Sequence, residues 1–300
     1  MKKSSIKLQV AATFTASMLA WAALFSCAVN SDGSSGTLKD IPEELNESNA
    51  KEVLGEDYKK RDTIKIPKGV IRIEYQAFRE CSAQSIIIPS TVTRIGDYAW
   101  YGVFEGCENL QSIEIPESVT YIGSNAFYGC KSLKTVTLNE GLTIIRGSAF
   151  RNCTSLKEIT MPQSVSSIGS NAFRGCSSLK KVVLTENISV IESSTFDDCT
   201  ALTNITIPEG VTCIEDYAFD ECISLTAITL PESLSEFKDW AFYQCSSLRK
   251  VTFLAKNPPK AGYDPFGGCD SNITFYVPED SVETYKAQWT RYTDSIEAIW

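Results

Sequence analysis

The hydrophobic positions of this chain recur with a period of 23 residues over most of its length. In the clearest unit, residues 130–150, apolar side chains alternate with polar ones at one place, and a second apolar pair follows. The positions that this pattern assigns to the interior are Leu133, Val136, Leu138, Leu142 and Ile145. The same set returns in the neighbouring units, which indicates a chain built from structural repeats.

A phenylalanine and a cysteine mark the end of each unit. The phenylalanines spaced by 23 residues, each followed three residues later by a cysteine, are Phe127, Phe150, Phe173, Phe196, Phe219 and Phe242. Less regular pairs extend the array at both ends: Phe78/Cys81, Phe104/Cys107 and Phe266/Cys269. A fixed period in this range predicts a solenoid, because each unit can bury its apolar edge only against its neighbours.

The order of residues within a unit predicts how one coil folds. Val136 and Leu138 alternate with polar residues, as a short strand requires. A proline follows the strand in many units and ends it, because proline cannot donate a ladder hydrogen bond. A second inward pair, Leu142 and Ile145, comes next. Beyond it we expect a helical turn at Ala-Phe, on the opposite side of the coil.

The combined pattern C-x-x-L-x-x-V-x-L-P-x-x-V-x-x-I-G-x-x-A-F-x-G-C resembles the BspA-like leucine-rich repeat family over residues 62–278. The resemblance implies an α/β solenoid, a curved right-handed stack of about nine 23-residue units with short strands on its concave face and a C-terminal cap. It also implies a binding role, often adhesion to host matrix or other cells. Periodicity alone predicts only the solenoid.

The segments outside the repeats suggest export. Residues 1–26 have the basic start and apolar middle of a secretory leader. The sequence Leu24-Phe25-Ser26-Cys27 is similar to a lipobox, which implies lipidation of Cys27. The alternatives are an ordinary signal peptide, with Cys27 as a stray thiol, or a short membrane anchor. A lipoprotein would be exported and anchored at the cell envelope, at the outer membrane or the cell surface.

The remaining boundaries follow from composition. Residues 27–61 comprise a small, polar tether and a possible N-terminal capping helix over 41–56, starting near Pro42. The repeats occupy 62–278. Residues 279–300 leave the repeat pattern and predict a C-terminal cap, because the last coil would otherwise expose an apolar end.

Two irregularities interrupt the repeat near its start. One residue is missing between Cys81 and Ile88, and four are added between Ile95 and Cys107. The insertion contains Trp100 and Tyr101, and either Trp100 or Phe104 must fill the core position of the phenylalanine column. Leftover aromatic side chains either pack over the bulge or stay exposed as candidate ligand-binding residues.

Charge and composition exclude several function classes. The net charge is −9, which argues against nucleic-acid binding, and the chain contains no histidine. Without histidine it lacks the most frequent general base and metal ligand. No paired-carboxylate, nucleophile–base or phosphate-loop motif is evident, so we expect no enzymatic activity, no metal, no cofactor and no small-molecule substrate.

The cysteine column is ambiguous in an exported protein. Disulfides are typical of that compartment. However, a small buried residue suits a narrow turn, so we expect the column cysteines to be structural free thiols. Cys213 lies outside the column, in a variable position, and is the best candidate for a reactive thiol.

Outward positions beside the strands form columns of their own. The candidate ligand-binding residues there are Thr137, Thr160, Thr206 and Thr229, with Lys134, Lys157 and Lys180 on one side. A column of glutamates lies at the other strand end. Threonine pairing within the sheet and solvated charge are the alternative explanations. The columns favour a protein or polymeric extracellular ligand. The rival functions are a periplasm-facing scaffold protein and a carbohydrate-binding accessory module.

Overall fold

The computed structural model describes residues 41–97 and 100–299. The predicted leader, Cys27 and the greater part of the tether lie outside these residues. From Ile41 onward the chain forms one compact unit. It is a parallel β-solenoid of about ten turns, which confirms the predicted leucine-rich repeat stack.

Each coil contributes one strand to a long row and one shorter strand to a second row. The long row consists of Thr63–Lys65, Ser85–Ile87, Ser112–Ile115, Thr135–Leu138, Glu158–Thr160, Lys181–Val183, Asn204–Ile205, Ala227–Leu230, Lys250–Phe253 and Thr274–Val277. Where neighbouring strands of this row are hydrogen-bonded to each other, they run parallel. Proline follows directly after several of them, as at Pro116 and Pro231.

The short row consists of two-residue strands. They are Glu44–Leu45, Arg72–Ile73, Arg94–Ile95, Tyr121–Ile122, Ile144–Ile145, Ser167–Ile168, Val190–Ile191, Cys213–Ile214, Glu236–Phe237 and Lys260–Ala261. They also pair in parallel. In nearly all of them the second residue points into the core and is buried, as Ile145 and Ile214 are.

The pairing register confirms both irregularities in the repeat. Glu158 pairs with Lys181, which lies exactly one repeat period further along the chain. Thr63 instead pairs with Ser85, one position short of a full period, and Ser85 pairs with Ser112, four positions beyond a full period. The missing residue and the added ones are therefore accommodated in loops, so that the strands remain in line.

A ladder of stacked phenylalanine rings runs through the core. Its members are Phe78, Phe104, Phe127, Phe150, Phe173, Phe196, Phe219, Phe242 and Phe266. Successive ring centroids lie 5.0–5.8 Å apart with planes within 19°. Phe104, rather than Trp100, fills the core position in the irregular coil. Such offset stacking adds to the stabilisation from burial.

The turn around each Ala-Phe pair is not helical, contrary to our expectation. Two residues that flank the phenylalanine have left-handed backbones, with φ of 57° at Asn125 and 71° at Gly129. A helix needs consecutive right-handed residues, so these two positions prevent it. The turn is held instead by the next coil, because the Phe127 N–H donates to the Ala149 carbonyl at 2.7 Å.

The segment before the repeats forms a shorter helix than predicted. Helix α1 spans Ala50–Leu54 and is followed by a 3-10 turn at Tyr58–Lys60. It does not start near Pro42, because Glu44–Leu45 forms the first strand of the short row. Tyr58 is buried and its hydroxyl donates to the Ala77 carbonyl at 2.7 Å. This segment packs on the first coil.

The segment after the repeats packs on the last coils. It contains 3-10 turns at Glu279–Ser281 and Thr290–Ser295, helix α2 at Val282–Gln288, and strand Ile296–Ala298, which pairs with Thr274–Val277. The Trp289 ring contacts Phe237, Phe253 and Phe275 edge-on. Its capping role, the right-handed winding and the concave curvature stay predictions. No helix within 41–97 and 100–299 is long and apolar enough to cross a membrane.

Candidate ligand-binding face

The outward side chains of the long row form the candidate site, which we call the strand face. Along each strand, buried and exposed residues alternate, as in Glu158–Thr160, whose middle residue alone is buried. The residue just before the strand also points outward and is exposed at Lys134, Lys157 and Lys180. The alternation follows from the pleat of an extended strand, which directs successive side chains to opposite sides.

The three lysines lie on consecutive coils. The Lys180 amide donates to the Lys157 carbonyl at 2.8 Å, so their backbones are in direct contact. None of the three forms an ion pair with a residue in the described part of the chain. Like charges on adjacent strands repel one another, and the nearest exposed carboxylate, that of Glu158 beside Lys157, forms no ion pair with any of the three lysines. The row is therefore a basic strip without ion pairs to the described residues.

The threonine column lies beside this strip. Thr229 pairs with Thr252 across the strands, and Thr160 pairs with Val183. The side chains of Thr137, Thr160, Thr206 and Thr229 are exposed, and none of their hydroxyls hydrogen-bonds to another described residue. Thr143, on another face, instead donates to the carbonyl of the preceding coil at 2.9 Å. The column hydroxyls thus remain available to a ligand.

The acidic column is partly explained by the fold itself. The Glu140 carboxylate accepts the backbone N–H groups of Gln163 and Ser164 at 3.0 and 3.1 Å. These hydrogen bonds lower the pKa of Glu140, with the Gln163 amide as the largest cause. Glu140 therefore holds the next coil in place, which weakens the argument for a ligand-binding role of the acidic edge.

Shallow depressions occur along the strand face. One is lined by Lys180, Val183, Glu186 and Thr206, among others. A second lies beside Lys134 and is otherwise lined by uncharged polar residues. Both are open, and the second is mostly polar, whereas small-molecule sites are usually enclosed and apolar. Their form suits an extended polar ligand better than a small molecule.

The predicted aromatic residues of the insertion lie elsewhere. Trp100 is 91% exposed, and its carbonyl accepts a hydrogen bond from Asn125 in the turn of the next coil. Tyr101 is half-exposed, and the Arg79 guanidinium lies 4.4 Å from its ring centroid. The structure therefore does not bring Trp100 and Tyr101 together with the lysine and threonine columns.

An aromatic strip that we did not anticipate lies on the turn side, which is the side of the coils formed by the turns around each Ala-Phe pair. The Tyr217 and Trp240 rings stack at 5.0 Å, and Tyr263 contacts Trp240 edge-on. Tyr217 and Trp240 have left-handed φ values of 58° and 54°. The equivalent positions in two earlier coils are occupied by Asn125 and Ser148, which are not aromatic. The available sequence signal was that these two aromatic residues occupy the same column, one repeat period apart.

Cys213 does not have the properties of a reactive thiol. It is half-buried, and its Sγ lies 3.5 Å from the Glu215 carboxylate. Burial, and then the charge of Glu215, raise the pKa of Cys213 to about 11. A reactive cysteine needs a lowered pKa. In the described part of the chain, no three His, Cys, Asp or Glu residues are grouped so that they could hold a metal ion.

Comparison with known proteins identifies the family. The pattern of the BspA type leucine rich repeat region, in six copies, matches residues 57–103, 101–204 and 190–299. The chain belongs to the BspA-type leucine-rich repeat family. No functionally curated protein matches it.

Several solved structures are similar to this BspA-type chain. A leucine-rich repeat protein from Eubacterium ventriosum is 24% identical with a TM-score of 0.54, over 72% of this chain and 66% of that one. A leucine rich cell surface protein from Faecalibacterium prausnitzii is 28% identical with a TM-score of 0.42, over 64% of this chain. The present chain spans 59% of that protein's length. A T. pallidum leucine rich repeat protein is 26% identical with a TM-score of 0.45, over 79% of this chain and 91% of that one.

Proposed function

We propose that this protein is an exported, non-enzymatic cell-surface lipoprotein that binds a protein or polymeric extracellular ligand along its strand face. The observation that carries the proposal is the basic strip of Lys134, Lys157 and Lys180 beside exposed, unbonded threonine hydroxyls. Packing does not require either column, because both point into solvent. A long polar ligand could contact several coils at once, and membership of a repeat family supports an interaction role.

The strand-face proposal is tested by charge reversal. We expect the soluble fragment 28–300, labelled with a fluorophore, to bind to epithelial or bacterial cells in flow cytometry. The double variant Lys157→Glu/Lys180→Glu should weaken this binding and reduce its salt dependence, because exposed charges act mainly through steering. A matched control is Lys51→Glu with Lys256→Glu, which reverses two exposed charges that lie outside the strands of the long row.

The rival site at the insertion gives the opposite result. Trp100 is the most exposed large hydrophobic residue in the described chain and, together with Tyr101, favours a carbohydrate-binding accessory module. Binding that survives the lysine reversal and falls with Trp100→Ala would move the site to the insertion. In that case, loss of signal on a glycan array in the same Trp100→Ala variant would identify the ligand as carbohydrate.

The location proposal depends on Cys27. Two or three acyl chains anchor a lipoprotein firmly. We therefore expect palmitate labelling and partition into detergent that are both lost in Cys27→Ala. An unlabelled parent protein would contradict the anchor. Protease treatment of intact cells then separates a surface protein, which is degraded, from a periplasm-facing scaffold, which is spared.

A further inference from the structure

Cys81 differs from the other cysteines of the column. From Cys107 onward each thiol donates to the carbonyl of the phenylalanine in the preceding coil, at 3.0–3.3 Å; these cysteines are Cys107, Cys130, Cys153, Cys176, Cys199, Cys222, Cys245 and Cys269. Before Cys81 the chain carries Tyr58 instead, whose ring meets Phe78 edge-on. No carbonyl of a described residue accepts a hydrogen bond from Cys81.

The Cys81 sulfur contacts Cys107 instead. The two Sγ atoms lie 2.8 Å apart, and both side chains are buried. The backbones beside them are joined, because the Glu80 amide donates to the Glu105 carbonyl at 2.7 Å. Chains paired in this way lie about 4.8 Å apart, and disulfides need Cα atoms about 4.4–6.8 Å apart. Little backbone movement is therefore needed to bond the two sulfurs.

We propose that Cys81 and Cys107 form a disulfide when the chain folds in the presence of an external disulfide, such as oxidised glutathione or an oxidised thiol–disulfide oxidoreductase. The other column cysteines remain free thiols. The bond joins the first two phenylalanine–cysteine coils and closes a loop that contains the insertion with Trp100. This inference holds whatever the strand face binds.

The chemistry is two successive exchanges. The Cys81 thiolate attacks the external disulfide, which forms a mixed disulfide and releases one thiolate. Cys107 then loses its proton to solvent, and its sulfur attacks Sγ of Cys81 and expels the second thiolate. Two protein thiols are oxidised to one disulfide, and one external disulfide is reduced to two thiols.

The surroundings of the pair favour this order of attack. The hydrogen-bonding contact between the two sulfurs is the largest cause that lowers the pKa of Cys81, and the nearby Lys59 charge contributes. Burial raises the pKa of Cys107 well above its ordinary value. While these two coils have come together but are still open to the external disulfide, Cys81 is the more acidic of the two thiols and attacks first, since only a thiolate attacks. Cys107 is the resolving thiol.

Disulfide mapping tests the proposal directly. The full chain is reduced, unfolded in denaturant and refolded with oxidised glutathione, because folded Cys81 is only 2% exposed. Trypsin and a Glu-specific protease then separate Cys107 from Cys130, since Glu108 lies between them. We expect one major linked pair of peptides, joining Cys81 to Cys107, that is lighter by two hydrogen atoms than the reduced pair. Dithiothreitol should lower the melting temperature by about 5 °C or more.

The matched control is Cys153 and Cys176, which also lie on consecutive coils but donate to carbonyl groups at 3.2 Å. We expect no link between them. Cys81→Ser should abolish the linked peptides and the effect of dithiothreitol, with an unchanged circular dichroism spectrum. The proposal is overturned if Cys81 and Cys107 stay reduced, or if Cys107 links to Cys130 as often as to Cys81.

Discussion

The turn side and the strand face of each coil repeat with the same period for different physical reasons. On the turn side, Phe150 is fully buried between two other rings, and the Cys153 thiol donates to a carbonyl. On the strand face, Thr160 and Lys157 are exposed and have no side-chain partner among the described residues. Recurrence on the turn side is required by packing, whereas recurrence on the strand face is not. Only the second kind of column suggests a ligand.

The largest expected effect comes from the phenylalanine ladder. Phe173→Ala should lower the free energy of unfolding by about 3–5 kcal/mol, because it removes a fully buried ring and leaves a cavity between two stacked neighbours. Urea denaturation followed by circular dichroism measures this. Thr160→Ala, on the strand face of the same coil, is the control and should change stability by less than about 0.5 kcal/mol. Equal effects of the two substitutions on stability would contradict the difference between the buried turn side and the exposed strand face.

The thiol column should give an intermediate effect. Cys176→Ala removes one of the two donors to the buried Phe150 carbonyl, which keeps the Cys153 amide, and should cost about 1 kcal/mol of unfolding free energy. Cys176→Ser keeps a donor in the same place and should cost less. Chemical denaturation of both variants provides the measurement. If serine and alanine are equally destabilising, the hydrogen bond from the thiol contributes nothing.

A smaller, pH-dependent effect is expected at Asp220, which follows Phe219 on the turn side. Burial, and then the charge of Asp197, raise the pKa of Asp220 from 3.8 to about 6. The folded state therefore prefers the protonated acid, so Asp220 destabilises the fold above pH 6 and this cost disappears as the pH falls toward 4.

Asp220→Asn should accordingly raise the melting temperature at pH 7.5 and have no effect at pH 4. Thermal scans of parent and variant across this range measure the difference. Asp198→Asn, which removes an exposed carboxylate from the preceding coil, is the control and should raise the melting temperature at pH 7.5 by less. A gain that is as large at pH 4 as at pH 7.5 would contradict the burial of the Asp220 carboxyl.

The smallest effect on stability is expected on the strand face. Lys157→Glu/Lys180→Glu should leave the free energy of unfolding, measured with urea, unchanged within about 0.5 kcal/mol, because exposed charges contribute little. The same variant is the one expected to weaken ligand binding. A loss of stability of about 2 kcal/mol or more, the size of a buried contact, would mean that the lysine strip supports the fold, and would remove the reason to assign it to a ligand.

Much of the fold was predictable because the same pattern of inward residues recurs in each repeat. Leu133, Val136 and Ile145 were assigned to the interior from their spacing, and all are buried. The insertion before Cys107 was located from the break in the period. The left-handed turns were missed, although Asn152 and Gly175 share a column in which asparagine and glycine are favoured by their tolerance of positive φ.

The candidate site was only partly predictable. Spacing correctly placed Lys157 and Lys180 side by side, since both precede strands one period apart. It treated the insertion with Trp100 as a separate candidate site but did not show that Trp100 lies on the turn side. Nor did it decide between Trp100 and Phe104 for the core position, because both are large and aromatic and the inserted residues obscure the count.

The sequence alone therefore determined the period, the solenoid, the inward positions and the family. These depend on local alternation and on contacts between adjacent repeats, which the chain order specifies. The tertiary structure alone decided that Cys81 meets Cys107, that Tyr217 stacks on Trp240, and which threonine hydroxyls remain unbonded. These features depend on the exact placement of side chains from different coils, and residue type and spacing do not specify that placement.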